Sequence, residues 1–293
     1  MLQRRPRLNI LVTLDRNYLA PLCVMLTSLL LGHPGEQPDI YVAADGFTDA
    51  DWAKLRALCA RFGAGLRPVS IDPSWFEGAP TIRYYSRAMY YRLLAAQMLP
   101  DTLDRILYLD PDLLITGSLR PLYDTDMGGS LYAAAIHSML SNFTGPVNRI
   151  RLSAYETEGY YNSGVLLMNL PLIRRDVHAQ EIFAYVRENR ARLVLPDQDI
   201  LNGLYGERIL PVDEYRWNYD ARRYSQYLMA SQGVMDMDWV MANTSILHFC
   251  GKRKPWKPAY SGRFAALYKH YMHLSTLYTA DQTIPEASHD PAN

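Results

Sequence analysis

Cysteine is scarce: Cys23, Cys59 and Cys250 are the only three in 293 residues. Their number is odd and their spacing suits no metal knuckle or disulfide framework, so reduced core thiols in a cytosolic protein are expected. Net charge is missing as well, since 30 basic and 30 acidic side chains cancel. Duplex binding leaves a strongly basic face, so nucleic acid is not an expected partner. The most apolar stretch, Pro21 to Leu31, falls far short of the roughly 20 residues a spanning helix needs. Behind Arg4, Arg5 and Arg7 the apolar run is broken by Asn9, Asp15, Arg16 and Asn17, a poor signal peptide. A cytoplasmic location is the expectation. There is no GxGxxG and no Walker lysine, which removes the dinucleotide-binding and P-loop readings. Internal repeats and Gly/Ser-rich linkers are absent too.

What remains is an ordinary globular balance, 49% apolar and 20% charged, arranged in alternating patterns. "LNILVTL" (8–14) and "DIYVAAD" (39–45) read as buried strands, and "LRPVSI" as a third. Between them lie an apolar helix over "YLAPLCVMLTSLLLGHPG" and an amphipathic one over "FTDADWAKLRALCARFG", with Thr48 as N-cap and Gly63 as C-cap. Strand–helix–strand alternation predicts an α/β fold with a mainly parallel sheet flanked by helices. Further helices are expected over "RAMYYRLLAAQML", capped by Ser86, over "PLIRRDVHAQEIFAYVRENRARL" and, opened by Asp197, over "LPDQDILNGLYGE". "RILYL", "SLYAAAI", "YYNSGVLLMNL" and "TSILHF" complete the strands. Residues 138–160 show no period, as a lid or binding loop would. A small C-terminal appendage is expected from about residue 215, and 281–293 read as a flexible polar tail.

The chemistry-bearing stretch is "RILYLDPDLLI" (105–115). Residues i and i+2 of a strand share a face, so Asp110 and Asp112 can turn to one point at the carboxyl edge of the sheet, where open α/β sheets bind ligands. Two adjacent carboxylates repel unless a cation lies between them. A hard divalent ion, Mn²⁺ or Mg²⁺, suits them; Asp-Pro-Asp is equally a good solvated turn. His248, in "ILHFCGKRKPW" (246–256), could complete a carboxylate site and would favour Mn²⁺ over Mg²⁺. The glycine and cations after it, Gly251 to Lys254, could neutralise phosphates. A core histidine beside a solvated basic turn is the plainer alternative. Asp15, Asn17 and Tyr18 follow the first strand and could meet a ribose or a base. Asn162 and Gln198 offer paired amide donors and acceptors to a sugar hydroxyl, or serve as a turn and a helix cap.

Six segments in order, "NILVTLDRNY", "SRAMYYRL", "RILYLDPDLLITGSLRPLYDTD", "YYNSGVLLMNL", "DQDILNGLY" and "LHFCGKRKPW", resemble glycosyltransferase family 8. This is the group of bacterial lipopolysaccharide-type galactosyl- and glucosyltransferases related to glycogenin. The resemblance implies a GT-A fold, a UDP-hexose donor, Mn²⁺ and retention of anomeric configuration, with a glycan or lipid-linked saccharide as acceptor. It makes Asp110, Asp112 and His248 the metal ligands. Thr13, Asp15, Asn17 and Tyr18 would hold the nucleoside, Gly251 and Lys254 the diphosphate. Arg92, Asn162, Asp197 and Gln198 would line the donor sugar, with Gln198 nearest the anomeric carbon and Asp197 beside it as the second catalytic candidate. His137 stands where the best-known galactosyltransferases carry an acidic residue, and with Cys250 it marks the acceptor region. Residues 1–250 would form the nucleotide-sugar and metal-binding domain, and 251–280 a basic loop and helix that complete the site.

Rival readings are a self-glucosylating enzyme of glycogenin type, a phosphatase of haloacid dehalogenase type and a non-enzymatic nucleotide-sugar binder. The phosphatase carries Asp-x-Asp on its first strand with Thr or Val two residues on; here the motif is mid-chain and followed by Leu114. "GRFAALYKHYMHLSTLY" (262–278) either packs its apolar stripe on the domain or lies as an amphipathic helix on a membrane surface.

Overall fold

A computed structural model of the chain describes residues 6–33, 35–77, 79–80, 88–136 and 159–279. Ser86, His137, nearly all of the 138–160 loop and the 281–293 tail lie outside the described residues. Among the described residues seven strands form the main sheet: β1 (Asn9–Asp15), β2 (Asp39–Asp45), β3 (Gly65–Pro68), β4 (Arg105–Leu109), β6 (Tyr132–Ala135), β7 (Val165–Asn169) and β8 (Ile209–Val212). Their order is β3-β2-β1-β4-β7-β6-β8, with β7 alone antiparallel to its neighbours. A second sheet of three strands, β5 (Leu113–Ile115), β10 (Ile246–His248) and β9 (Tyr219–Asp220), adjoins it in the order β5-β10-β9.

Alternation within the strands decides the layers. Ile10, Val12, Ile40, Val42, Leu107 and Leu109 face one core with the helix Leu19–Gly32. Leu11, Ile106, Tyr108, Tyr132 and Leu166 face the other, with the helices Ala88–Leu93, Ala95–Met98, Leu170–Asp176, Ala179–Asn189 and Pro196–Tyr205. The helix Leu19–Gly32 is buried continuously from Pro21 to Leu30. It lies beneath the C-terminal helix Ala265–Thr279 as well as on the sheet, which is why it is apolar all round. Thr48 caps the next helix in a reciprocal box with Asp51, and Gly63 takes φ +69° just past its end.

Several expected boundaries move. "RAMYYRLLAAQML" is two short helices, because Leu94 (φ −102°, ψ 16°) leaves helical geometry. The segment 171–193 breaks at Val177, whose extended backbone (φ −110°, ψ 115°) lets its side chain enter the core. β7 begins only at Val165; Tyr160 to Gly164 form a turn bridged to the sheet at Ile136–Tyr161. Pro196, not Asp197, opens the helix Pro196–Tyr205, and Asp199 ties down the segment before it by accepting from Val194 N (2.6 Å) and Leu195 N (3.0 Å). Asp199 is fully buried rather than a surface charge, with Tyr160 Oη donating to it. Among the described residues no helix is long and apolar enough to cross a membrane. Cys23, Cys59 and Cys250 are all outside disulfides.

β5 is anchored from below. Its Ile115 N–H, turned away from β10, donates to Ser28 Oγ at 3.0 Å in the core. Removing that acceptor strands a buried donor, so Ser28→Ala is expected to lower stability by about 1–3 kcal/mol. A matching fall in the urea unfolding midpoint is the measurement.

Candidate active site

Asp15, Asp110 and the turn before β7 all emerge at one edge of the main sheet, because β1 and β4 run parallel and β7 enters beside the end of β4 (Leu109↔Val165). The chain then crosses from β4 to β5 through Asp110-Pro111-Asp112. β5 pairs with β10 in a register that sets His248 opposite Leu113, and Phe249 N–H donates to Asp112 O at 3.1 Å. Residues 136 positions apart in sequence (248 − 112) thus meet because two short strands pair.

Asp110, Asp112 and His248 each offer a ligand atom, and these atoms lie within 4.8 Å of one another. His248 Nε2 is 3.3 Å from Asp112 Oδ1 and 3.9 Å from Asp110 Oδ2. Asp112 Oδ1 is buried and has no hydrogen-bond partner. An orphaned buried carboxylate oxygen is costly. A divalent cation shared with Asp110 and the ring would satisfy it, so the donor set of two carboxylates and an imidazole fits a metal.

Cations hold the cluster in place. Lys254 Nζ donates to Asp112 Oδ2 and, at 3.0 Å, to Phe249 O. Arg92 bridges Asp110 Oδ1 (3.0 Å) and Asp197 Oδ2 (2.9 Å), with its guanidinium 4.7 Å from the Tyr108 ring centroid. Tyr108 Oη donates to Asp110 Oδ1 at 2.5 Å. Burial would raise the Asp112 carboxyl, but His248 and Lys254 outweigh it and hold it well below the usual carboxylate range. Asp110 stays above that range, because burial and repulsion from Asp112 exceed the pull of Arg92. One carboxylate of a crowded pair ionises at the expense of the other. Burial would depress the His248 imidazolium, yet the Cys250 sulfur and the Asp112 carboxylate raise it well above its ordinary value.

The remaining candidates are placed unevenly. Asn162 Nδ2 donates to Gln198 Oε1 at 3.2 Å, and Ser163 Oγ to Asp197 Oδ2 at 3.0 Å. Tyr18 packs edge-on against Trp256 at 5.7 Å, over which Lys254 also sits at 5.7 Å. Thr13 joins through Tyr108, with the two hydroxyls 3.4 Å apart. Asp15 and Asn17 make no hydrogen bond to the acidic centre; Asp15 instead accepts from Asn17 N at 2.8 Å at the end of β1. Gly251 takes φ +80°, and a Cβ there would lie 2.4 Å from Arg222 Nη1. Cys250 is half-buried and lies in the electrostatic range of His248, Lys254 and Arg222.

Three residues that the sequence did not single out belong here. Tyr108 shares the face of Asp110 two residues on, a spacing that could have revealed it. Asn218 Oδ1 accepts from His248 Nδ1 at 2.7 Å, and nothing in "RWNYD" signals it. Gly164 matters for the side chain it lacks. A Cβ there would stand 2.4 Å from His248 Cε1, 2.7 Å from Asp110 Oδ2 and 3.0 Å from Asn162 Oδ1.

A mainly parallel sheet with an acidic pair and a histidine at its carboxyl edge is the arrangement of a GT-A glycosyltransferase. The family model for glycosyl transferase family 8 matches residues 9–259, and the chain belongs to that family and is a glycosyltransferase. It is 29% identical over 251 residues to a lipopolysaccharide 1,2-glucosyltransferase of Escherichia coli (strain K12), covering 85% of this chain and 72% of that one. A lipopolysaccharide 1,3-galactosyltransferase of Salmonella typhimurium is 25% identical over 252 residues, covering 85% and 73%. The crystal structure of the galactosyltransferase LgtC with donor and acceptor sugar analogs superposes with a TM-score of 0.76 at 28% identity, covering 95% of this chain and 98% of that one. Family membership sets aside the phosphatase reading and the non-enzymatic binder.

The room left by Gly164 is testable. Gly164→Ala must displace His248, Asp110 or the turn whose carbonyl accepts from Asp110 N (2.8 Å). Overpacking of this kind typically costs about 1–3 kcal/mol. Glycosyl transfer is expected to fall by more than the loss of folded protein accounts for, read by activity alongside a thermal melt.

Proposed function

We propose that the chain transfers a hexose, galactose or glucose, from a UDP-sugar to a hydroxyl of a glycan or lipid-linked saccharide, with retention and with Mn²⁺. The observation that carries this reading is the buried Asp112 Oδ1, which makes no hydrogen bond among the described residues and lies 3.3 Å from His248 Nε2 beside Asp110. Asp110, Asp112 and His248 would hold the metal, and the imidazole favours Mn²⁺ over Mg²⁺. Bound there, the ion would neutralise charge on the departing diphosphate. Lys254, raised in pKa by Asp112 against the lowering effect of burial, keeps its ammonium form for the same task. Asp15, Asn17, Tyr18 and Thr13 would receive the nucleoside, Gly251 the diphosphate, and Arg92, Asn162, Asp197 and Gln198 the sugar. Cys250, and His137 by sequence, would face the acceptor. The lipopolysaccharide transferases among the relatives support a saccharide acceptor of that kind.

The side chains favour front-face attack. Asp197 is committed to Arg92 and Ser163, and Gln198 is an uncharged amide bonded to Asn162, so neither is a free nucleophile. The acceptor oxygen bonds to the anomeric carbon as the bond from that carbon to the diphosphate oxygen breaks. The acceptor proton passes to a diphosphate oxygen. Arg92 and Asn162 keep the sugar oriented meanwhile. Contact with a membrane would be left to the outward side of Ala265–Thr279, because Phe264 and Tyr268 are buried in the domain.

A panel of UDP-sugars with Mn²⁺, scored for UDP release with and without saccharide acceptors, tests this reading. One UDP-hexose should be turned over, and Asp112→Asn should slow it by about 10²–10³-fold. Turnover of no UDP-sugar, or wild-type turnover by Asp112→Asn, would overturn it. A mass gain on UDP-glucose alone would point instead to self-glucosylation.

Proton competition gives a second test. Against the lowering effect of burial, the Cys250 sulfur and the Asp112 carboxylate raise His248 well above its ordinary value, so the ring holds a proton more tightly than a free imidazole does. Mn²⁺ must displace that proton, and affinity therefore climbs as pH rises. Calorimetric titration at pH 6, 7 and 8 should show tightening of up to about tenfold per unit with proton release. Affinity that is flat with pH would remove His248 from the ligand set.

A further inference from the structure

The buried amides behind the acidic centre form one hydrogen-bonded chain whose direction is fixed by a single backbone group. Gly164 N–H can only donate, and it donates to Asn162 Oδ1 at 2.9 Å. That oxygen also receives Asn218 Nδ2 at 2.8 Å. Asn218 must then turn its own oxygen to His248 Nδ1, 2.7 Å away. An oxygen accepts, so Nδ1 carries the ring hydrogen and Nε2 is the nitrogen left to Asp110 and Asp112. On the other arm Asn162 Nδ2 faces Gln198 at 3.2 Å, and Gln198 must present Oε1. Asn218 is fully buried and the other three are at most 8% exposed, so water does not compete for these bonds. Trp217, packed into the core, and the bond from Asn218 N to Glu214 O (2.9 Å) hold the amide rigidly in place.

We propose that Asn218 is a positioning residue: it holds His248 with Nε2 turned toward Asp110 and Asp112 for a divalent cation, and ties that ring through Asn162 to Gln198. This rests on the reading of the three residues as metal ligands. The arrangement is that of ligating histidines generally, whose second nitrogen donates to a fixed acceptor that sets ring orientation and basicity. Here the acceptor is an amide rather than a carboxylate, and its own hydrogens reach the sugar-binding side. Metal ligand and donor-sugar residues are thereby oriented by the same bonds.

Two substitutions separate the arms. Asn218→Ala removes both, and Mn²⁺ binding measured on the protein alone, by loss of the free-ion paramagnetic resonance signal, should weaken about 10–100-fold. Asn218→Asp can still accept from Nδ1–H but has no hydrogen for Asn162 Oδ1. It should bind Mn²⁺ close to wild type while kcat for sugar transfer falls, a split that general loosening would not produce. Thermal melts check that both variants fold. Wild-type Mn²⁺ affinity in Asn218→Ala overturns the proposal; absence of Mn²⁺ binding by the wild type overturns the metal reading and this inference with it. Should either variant fail to fold, long-range ¹H–¹⁵N spectra of the Cd²⁺-loaded wild type decide: a His248 ring protonated at Nδ1 and bare at Nε2 supports the proposal, and the opposite tautomer overturns it.

Discussion

Two carboxylates of like charge, Asp110 and Asp112, sit where the main sheet hands the chain to the second sheet, and the surrounding structure is organised to tolerate them. Left alone in an apolar environment either would be neutralised by a proton. Arg92 comes from one part of the chain, and His248 and Lys254 from another, to prevent that. Each brings its own segment with it: the helix Ala88–Leu93, strand β10 and the loop that follows it. The two sheets are therefore joined by paired charges as well as by apolar packing.

This explains why backbone rather than side-chain volume is spent beside the site. Gly164 sits within contact distance of two of the three acidic-centre residues, and its carbonyl and N–H each serve a neighbour there. A turn, rather than a longer β7, places both groups at the edge of the sheet. The regularity lost between Tyr160 and Gly164 is compensated by side chains: Asn202 accepts from Tyr161 N (2.7 Å) and donates to Tyr161 O (2.8 Å). Buried backbone groups outside a ladder need such partners.

Much of the fold was legible because it depends on short-range pattern. The strand "DIYVAAD", the Thr48 cap and the Gly63 stop were visible in spacing and residue type alone. The acidic pair was visible as charge in an apolar setting. What spacing could not show was pairing across the chain. The β5–β10 register that delivers His248 has no local signal, and three-residue strands carry too little periodicity to align. Val177 defeated a helical pattern because the core claimed its side chain, a tertiary demand that propensity does not encode. Asn218 and Gly164 were missed for a related reason: one acts through a bond to a residue thirty positions away, the other through empty space.

Charge links the packing of these segments to the use proposed for the site. Three carboxylates, Asp110, Asp112 and Asp197, face three basic side chains, Arg92, Lys254 and His248. On the proposed reading, a dication held by these residues would displace a proton from His248 to solvent, and the centre would gain one positive charge. A nucleoside diphosphate is the kind of ligand that answers such a surplus. Lys254, whose ammonium donates to Asp112, would then be shared with that ligand. A cluster that gains positive charge on loading would admit the anionic donor most readily after the metal, and charge alone gives that order.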